Sequence, residues 1–267
     1  MKNLAILFVT LLFMTSCEEV IDVDLNTADP HYVIEAELLG GSESQRIRVT
    51  QTVAFDSEVP NTPIDHAAVS VQSSDGRLFN FSSIGNGYYA NNRFSPRESL
   101  SYRLSVQIDG EEFTSTERMR EFVPVDSVGV IEETIFNEIN YSVLFKFKDP
   151  AEEDNYYKYT VSVNERPFRF LQIQSDKYNN GLYVTHQLMD YLNPFELGDT
   201  LVIRRQSVSP SVYKYWNEIQ LMNPGSAAPA NPTSNISNGA LGYFSISPFK
   251  DYGMRIRPIS ESNDLNE

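Results

Sequence analysis

Cysteine is nearly missing from this chain: Cys17 is the only one, so no disulfide can form within it. Histidine is almost as scarce. His31, His66 and His186 lie far apart, and none falls in an H-x-x-x-H or H-E-x-x-H spacing, which excludes a helical zinc site of the metalloprotease type. Each is read as an ordinary strand or loop residue. No G-x-S-x-G elbow, S-x-x-K pair, phosphate-binding loop or dinucleotide fingerprint occurs, so nucleophilic catalysis and a nucleotide cofactor have no support in the sequence. We therefore expect no catalytic residue, no cofactor and no metal site. Positive charge is short as well: 21 Lys and Arg against 36 Asp and Glu leave a formal charge of −15, with no basic cluster. That balance argues against nucleic acid and against docking on anionic lipid headgroups. The one long apolar run, Leu4 to Met14, is about half of the ~20 residues that a membrane-crossing helix needs.

That run has Lys2 ahead of it and the small residues Thr15 and Ser16 behind it, the plan of a secretory signal. The small pair followed by Cys17 resembles a bacterial lipobox, where the signal is cut before the cysteine and its sulfur and new amino group are acylated. Residues 1–16 are thus expected to be a lipoprotein signal peptide and Cys17 the lipid attachment site, since several acyl chains are what stable anchoring requires. Residues 17–30 contain EEVIDVDLNTADP, polar, acidic and closed by Pro30, and are expected to be a tether. Part of it, VIDVDL, also alternates as a strand would.

From residue 31 the pattern is strand after strand with period two: HYVIEAELL, RIRVTQTV, AVSVQSS, RLFNFSS, GYYAN and LSYRLSVQI. Asp75-Gly76 and Asp109-Gly110 each sit between two such runs, the signal of a tight hairpin with positive φ at both central residues. With a hydrophobic content of 41%, enough for packed cores, residues 31–122 read as an immunoglobulin-like β-sandwich. REFVPVDSV marks a boundary, and residues 123–267 read as a second β-rich domain, with strands in VGVIEETIF, YSVLFKFKD, YYKYTVSV, PFRFLQIQ and TLVIRRQSV. One helix is expected near 210–222: Ser209 caps it, Pro210 opens it and Asn223-Pro224 stops it. Val212, Trp216 and Ile219 share a stripe that should pack on the second sheet. The following PGSAAPANPTSNISNG is a long loop, functional or without regular structure.

The strings VPVDSV, FKDPAEEDNYYKY, QSDKYNNGLY, LGDTLVIRRQSVSPSVYKYW and NPTSNISNGALGYFSI together resemble the domain-of-unknown-function 4249 family of Bacteroidota envelope lipoproteins, in order over essentially the whole chain. The most specific parts are D-P-x-x-x-x-N-Y-Y at Asp149 to Tyr157 and S-N-I-x-x-G at Ser234 to Gly239. The resemblance implies an envelope anchor and a TonB-dependent outer-membrane receptor as partner, and it carries no assigned catalytic residue. The Glu18-Glu19 pair resembles the acidic signal that exports some Bacteroidota lipoproteins to the cell surface. Asp126-Ser127-Val128 and Asp199-Thr200-Leu201 resemble O-glycosylation triplets of the same bacteria, which makes Ser127 and Thr200 candidate glycan carriers.

The acidic string DPAEEDN lacks the spacing and glycine of an EF-hand loop and is read as a solvated turn rather than a calcium site. The clusters Tyr88-Tyr89, Tyr156-Tyr157-Tyr159 and Tyr213-Tyr215-Trp216 offer stacking surface, although in adjacent strand positions one of each pair must point inward. The expectation is a non-enzymatic, outer-membrane-anchored accessory or ligand-binding protein, with contacts in the 223–239 loop and the sandwich-end loops. The rivals are a hydrolase using paired carboxylates and a structural or adhesive surface protein.

Overall fold

The computed structural model describes residues 30–53, 61–222 and 231–258. The expected signal peptide, Cys17, the tether up to residue 29 and residues 223–230 of the proline-rich loop lie outside the described residues. The protein is mainly β. Its first part forms β1 (Tyr32–Leu39), β2 (Gln45–Gln51), β3 (Thr62–Pro63), β4 (Ala68–Ser73), β5 (Leu78–Gly85), β6 (Tyr88–Asn91), β7 (Ser101–Ile108) and β8 (Glu111–Arg118). Its second part forms β9 (Ser127–Ile135), β10 (Glu138–Lys148), β11 (Tyr156–Val163), β12 (Arg169–Ser175), β13 (Tyr183–Leu188), β14 (Thr200–Ser207), helix α1 (Pro210–Leu221), β15 (Leu241–Ser247) and β16 (Phe249–Arg255).

The first sheet follows the path β15-β1-β2-β6-β5-β4-β7-β8, with β3 on β2. Strand β5 makes the corner: Phe79 and Phe81 face β4, while Ser82 and Ser83 pair with β6 across a bulge. The sheet thereby folds over itself and encloses inward-facing residues of its strands, among them Ile34, Ile47, Val49, Val71, Leu104, Val106 and Phe244. Each such side chain contributes about 1.5–3 kcal/mol by leaving water. The ends of the path nearly meet, because Ser237 bonds Thr114 of β8 through backbone and hydroxyl just before β15 begins.

Strand β15 crosses the boundary expected at 122/123: it lies parallel to β1, with Gly242 opposite Ile34. A Cβ on Gly242 would stand 2.1 Å from the Ile34 carbonyl oxygen, and its φ is +89°, so only glycine permits this approach. The Asp109-Gly110 hairpin has positive φ at both residues, as expected. The Asp75-Gly76 turn differs. Only Gly76 is left-handed, and Gly76 N–H bonds the Ser73 carbonyl, giving a type I turn closed by a glycine bulge.

In the second part, β13-β10-β9 and β12-β11-β14-β16 are two antiparallel sheets facing each other. Val143, Phe145 and Phe147 of β10 interleave with Tyr157, Tyr159 and Val161 of β11, and the Phe147 and Tyr157 rings meet edge to face at 5.1 Å. Helix α1 begins as expected, with the Ser209 hydroxyl accepting from Val212 N–H and Pro210 in the first turn. Its apolar face packs on β12 and β11 of the second part and also on β15 of the first. The helix therefore bridges the two sandwiches.

The chain passes between the sandwiches at Met119–Pro124 and again at Ser247–Phe249, where Gly40 N–H bonds the Ser247 carbonyl. Leu39 thus lies at this junction and Tyr32, bonded through its hydroxyl to Asp109, at the opposite end of the first sandwich. In the second sandwich the junction end holds Ser127, Lys148 and Phe249, and the far end holds the β9–β10 and β11–β12 hairpins and the β13–β14 loop.

Candidate functional site

The two most specific motifs turn out to be brackets. The Asp149 carboxylate, buried, accepts from the Tyr157 hydroxyl at 2.5 Å and from Gly181 N–H at 3.2 Å. Asn155 donates its side-chain amide to the Pro150 and Glu153 carbonyls, while its N–H bonds Asp176. Glu153 meets Arg120 at 2.5 Å. The acidic string is therefore tied into the fold rather than aimed at a common point, and among the described residues no three His, Cys, Asp or Glu side chains converge as a metal site. In the second motif, Asn235 accepts from Phe244 N–H and donates to the Phe244 carbonyl, both at 2.8 Å, and to Glu117 at 2.7 Å. Residues 231–239 thus anchor β15, and this half of the expected contact loop serves the fold.

Between the two sheets of the second sandwich lies a buried polar line. Arg205 is fully buried, with Phe147 and Tyr157 rings 4.3 Å from its guanidinium carbon. It donates to the Val123 carbonyl at 2.5 Å and to the Tyr159 hydroxyl at 3.3 Å. The Tyr159 hydroxyl also meets His186 Nδ1 at 2.8 Å. Burial, then the nearby Arg205 charge, push His186 down to about 3, and burial pushes Tyr159 up to about 12. These groups are closed off from solvent and hold the sheets in register.

A second buried cation joins the sandwiches. Lys158 donates to Glu37 of β1 at 2.6 Å and lies 4.1 Å from the centroid of Trp216, with Tyr243 beside it. Gln206 donates to the same carboxylate at 2.9 Å. Burial opposes the Glu37 charge, but Lys158 and Gln206 outweigh it and hold the carboxyl below its usual range.

Exposed apolar side chains occur at the far end of the second sandwich, and also in the 178–183 stretch at its junction end. The β9–β10 hairpin turns on Phe136 and Asn137, both at positive φ, and leaves Phe136 97% exposed. In the β13–β14 loop, Tyr191 and Leu192 are 81% and 73% exposed, although the backbone around them is fixed. Asp190 accepts from Leu192 and Asn193 N–H and pairs with Arg169, Asp199 caps Glu196, and Phe195 is buried opposite Tyr141. Between this loop and the β11–β12 hairpin is a cleft of about 620 Å³, lined by Asn164, Arg166, Arg169, Asn193, Glu196 and Asp199 among others. The side chains of Arg166, Asn193 and Glu196 are not engaged by any described residue, so the cleft presents a guanidinium, an amide and a carboxylate beside an apolar rim. Such a surface is suited to hydrogen-bonding and stacking on a polar ligand or a protein surface.

Of the residues singled out in the sequence, Ser127 and Thr200 open β9 and β14 with exposed side chains, at opposite ends of the second sandwich. Their neighbours Val128 and Leu201 pack on the core. His31 is exposed, His66 faces Asp109 at 3.1 Å, and His186 is the buried one described above. The aromatic clusters go mostly inward: Tyr89, Tyr157 and Tyr159 are buried, and Tyr156, Tyr213, Tyr215 and Trp216 form a small core under α1. Phe136, Tyr191 and Leu192 stand in IFNE and MDYLNPFELG, among Asn, Asp, Pro and Gly, a turn context in which side chains are often exposed, although Phe195 of the same string is buried.

No curated protein matches the chain. A family model described as Domain of unknown function (DUF4249) matches residues 18–252, which span both sandwiches and the bracket motifs. The chain belongs to that family.

Proposed function

We propose that the protein is an outer-membrane-anchored lipoprotein, held through acylated Cys17 on the cell surface, that acts without catalysis as an accessory or ligand-binding partner of a TonB-dependent receptor. The observation that carries the binding role is the far end of the second sandwich, where the β13–β14 loop, held by Asp190 and Asp199, exposes Tyr191 and Leu192 next to the residues of a polar cleft, and the β9–β10 turn exposes Phe136. Function on a β scaffold concentrates in such loops, and exposed apolar side chains set beside polar groups mark a surface for protein contact. Strand β1 begins at Tyr32, at the end of the first sandwich away from the junction, which supports an arrangement with the anchor on that side and these loops on the other. Ser127 and Thr200 stay candidate glycan carriers, to be read from the mass of the native protein.

The test is gentle detergent extraction of the tagged protein from its native membranes and mass spectrometry of what accompanies it. A stoichiometric TonB-dependent receptor is expected, and a lipoprotein that emerges alone would overturn the partnership. Serine at positions 136, 191 and 192 together should release the receptor, while stability changes by no more than about 0.5 kcal/mol per site because these side chains are in water.

A further inference from the structure

Among the described residues strand β9 hydrogen-bonds only to β10 and β16 only to β14, so each is the outer strand of its described sheet. The register places both running from the junction toward the far end, and the side of the sandwich between them is flanked by two free edges with the same direction. Between these edges is a groove of about 590 Å³. Its floor is apolar, because Val128, Val130, Tyr252 and Met254 turn inward onto the core. Its walls are low: Gly129 and Gly253 alternate with those residues, and a Cβ on either would meet nothing within 4 Å.

Free strand edges are templates for pairing, and proteins ordinarily cover or charge them. An incoming strand would lie about 4.8 Å from each edge, and running from the far end to the junction it would be antiparallel to both. Side chains on such a strand alternate. Those facing in would rest on the apolar floor, and those facing out would pass the glycines and reach Arg255 and Arg257. Asp251 is already engaged by Arg204 through two bonds of 2.8 Å, whereas Arg255 and Arg257 meet no acceptor among the described residues. Glu132 also lines the groove, so Arg255 and Arg257 stand against one carboxylate and the groove is net positive among the described residues.

We propose that this seam takes up, by strand addition, one extended segment of a partner protein in which apolar and acidic residues alternate. Backbone ladders on both edges supply affinity and the alternation supplies selectivity, as in other strand-addition complexes. The proposal rests on the reading above only in that the segment comes from a partner.

The probe is a fluorescent, end-blocked peptide of about eight residues alternating valine and glutamate, long enough to span β16, titrated into the full chain in detergent and followed by anisotropy. Saturable binding is expected, weakened about tenfold or more when lysine replaces glutamate or when alternate peptide nitrogens are methylated, with amide exchange slowed along β9 and β16. Gly253→Phe, at a position with ordinary φ and open space, should keep the urea midpoint and weaken binding to a similar degree. Equal binding of the glutamate and lysine peptides, protection elsewhere, or no binding up to about 1 mM would overturn the proposal. So would a chain ending at Pro258 that binds about tenfold more tightly, because the groove would then belong to the chain's own residues 259–267. Loss of receptor capture with peptide binding intact sinks the accessory reading alone, and intact capture with no peptide binding sinks this one alone.

Discussion

Replacing Asp149 by alanine is expected to destabilise the second sandwich by about 3 kcal/mol, within a range of about 2–4. The carboxylate is buried and has two donors, the Tyr157 hydroxyl at 2.5 Å and Gly181 N–H at 3.2 Å. Without it both donors are left in a dry interior, at about 1–3 kcal/mol each, with the longer backbone bond toward the lower figure. Tyr157→Phe removes one donor and leaves the carboxylate its other partner, and should cost about 1–2 kcal/mol. The double variant is the sharper test. Once the hydroxyl is gone, losing the carboxylate strands one group fewer, so the two effects should fall short of additivity by at least about 1 kcal/mol. Urea unfolding at neutral pH with a common m-value measures all three. Effects that add to within about 0.3 kcal/mol would mean that the two groups are not coupled, and the account of the D-P-x-x-x-x-N-Y-Y motif as a bracket would be wrong.

Three further outcomes are expected. His186 is held at about 3 in the folded protein against 6.5 for the free group, so the unfolded chain binds the extra proton; its stabilisation is full above pH 6.5 and is lost as pH falls toward 3. Between pH 6 and 4 the wild type should lose about 1.4 kcal/mol per pH unit more than His186→Gln, and parallel urea-midpoint curves for the two would refute this. Glu37→Ala leaves the Lys158 ammonium buried without its carboxylate and should cost about 2 kcal/mol, whereas Lys158→Met, which keeps the contact with Trp216, should cost less than about 1; the thermal midpoints give the order. Asn235→Ala should cost about 2–3 kcal/mol by freeing both backbone groups of Phe244, and faster amide exchange along β15 should accompany it.

The strands that alternate without interruption were legible in the sequence, and so was the helix, because Ser209 and Pro210 announce its start. Strands β13, β15 and β16 were not. In β15 the pattern is broken by Gly242, which the close parallel contact with Ile34 requires. In β16 it is broken at Lys250-Asp251, both in water, which leaves only Tyr252 and Met254 as inward positions, too short a run to read as a strand. The return of β15 to the first sheet depends on a pairing between residues about two hundred positions apart, and no local signal encodes such a pairing. The same limit hid the groove, which exists only because β9 and β16, each unexceptional alone, are brought face to face.

The division of labour among residues has a functional consequence. The turns at the far end are fixed by groups beneath the exposed side chains: Asp190 and Asp199 bond backbone N–H groups, Asn164 bridges Asp199 and Thr200, and Phe195 fills the core. The side chains of Phe136, Tyr191 and Leu192 make none of these contacts, so changing them alters what the surface meets without altering the scaffold. The bracket residues behave oppositely, since the side chains of Asp149, Asn155 and Asn235 are engaged by the fold. The motifs by which the family is recognised thus report a way of holding loops, and partner choice rests with the side chains that those loops present.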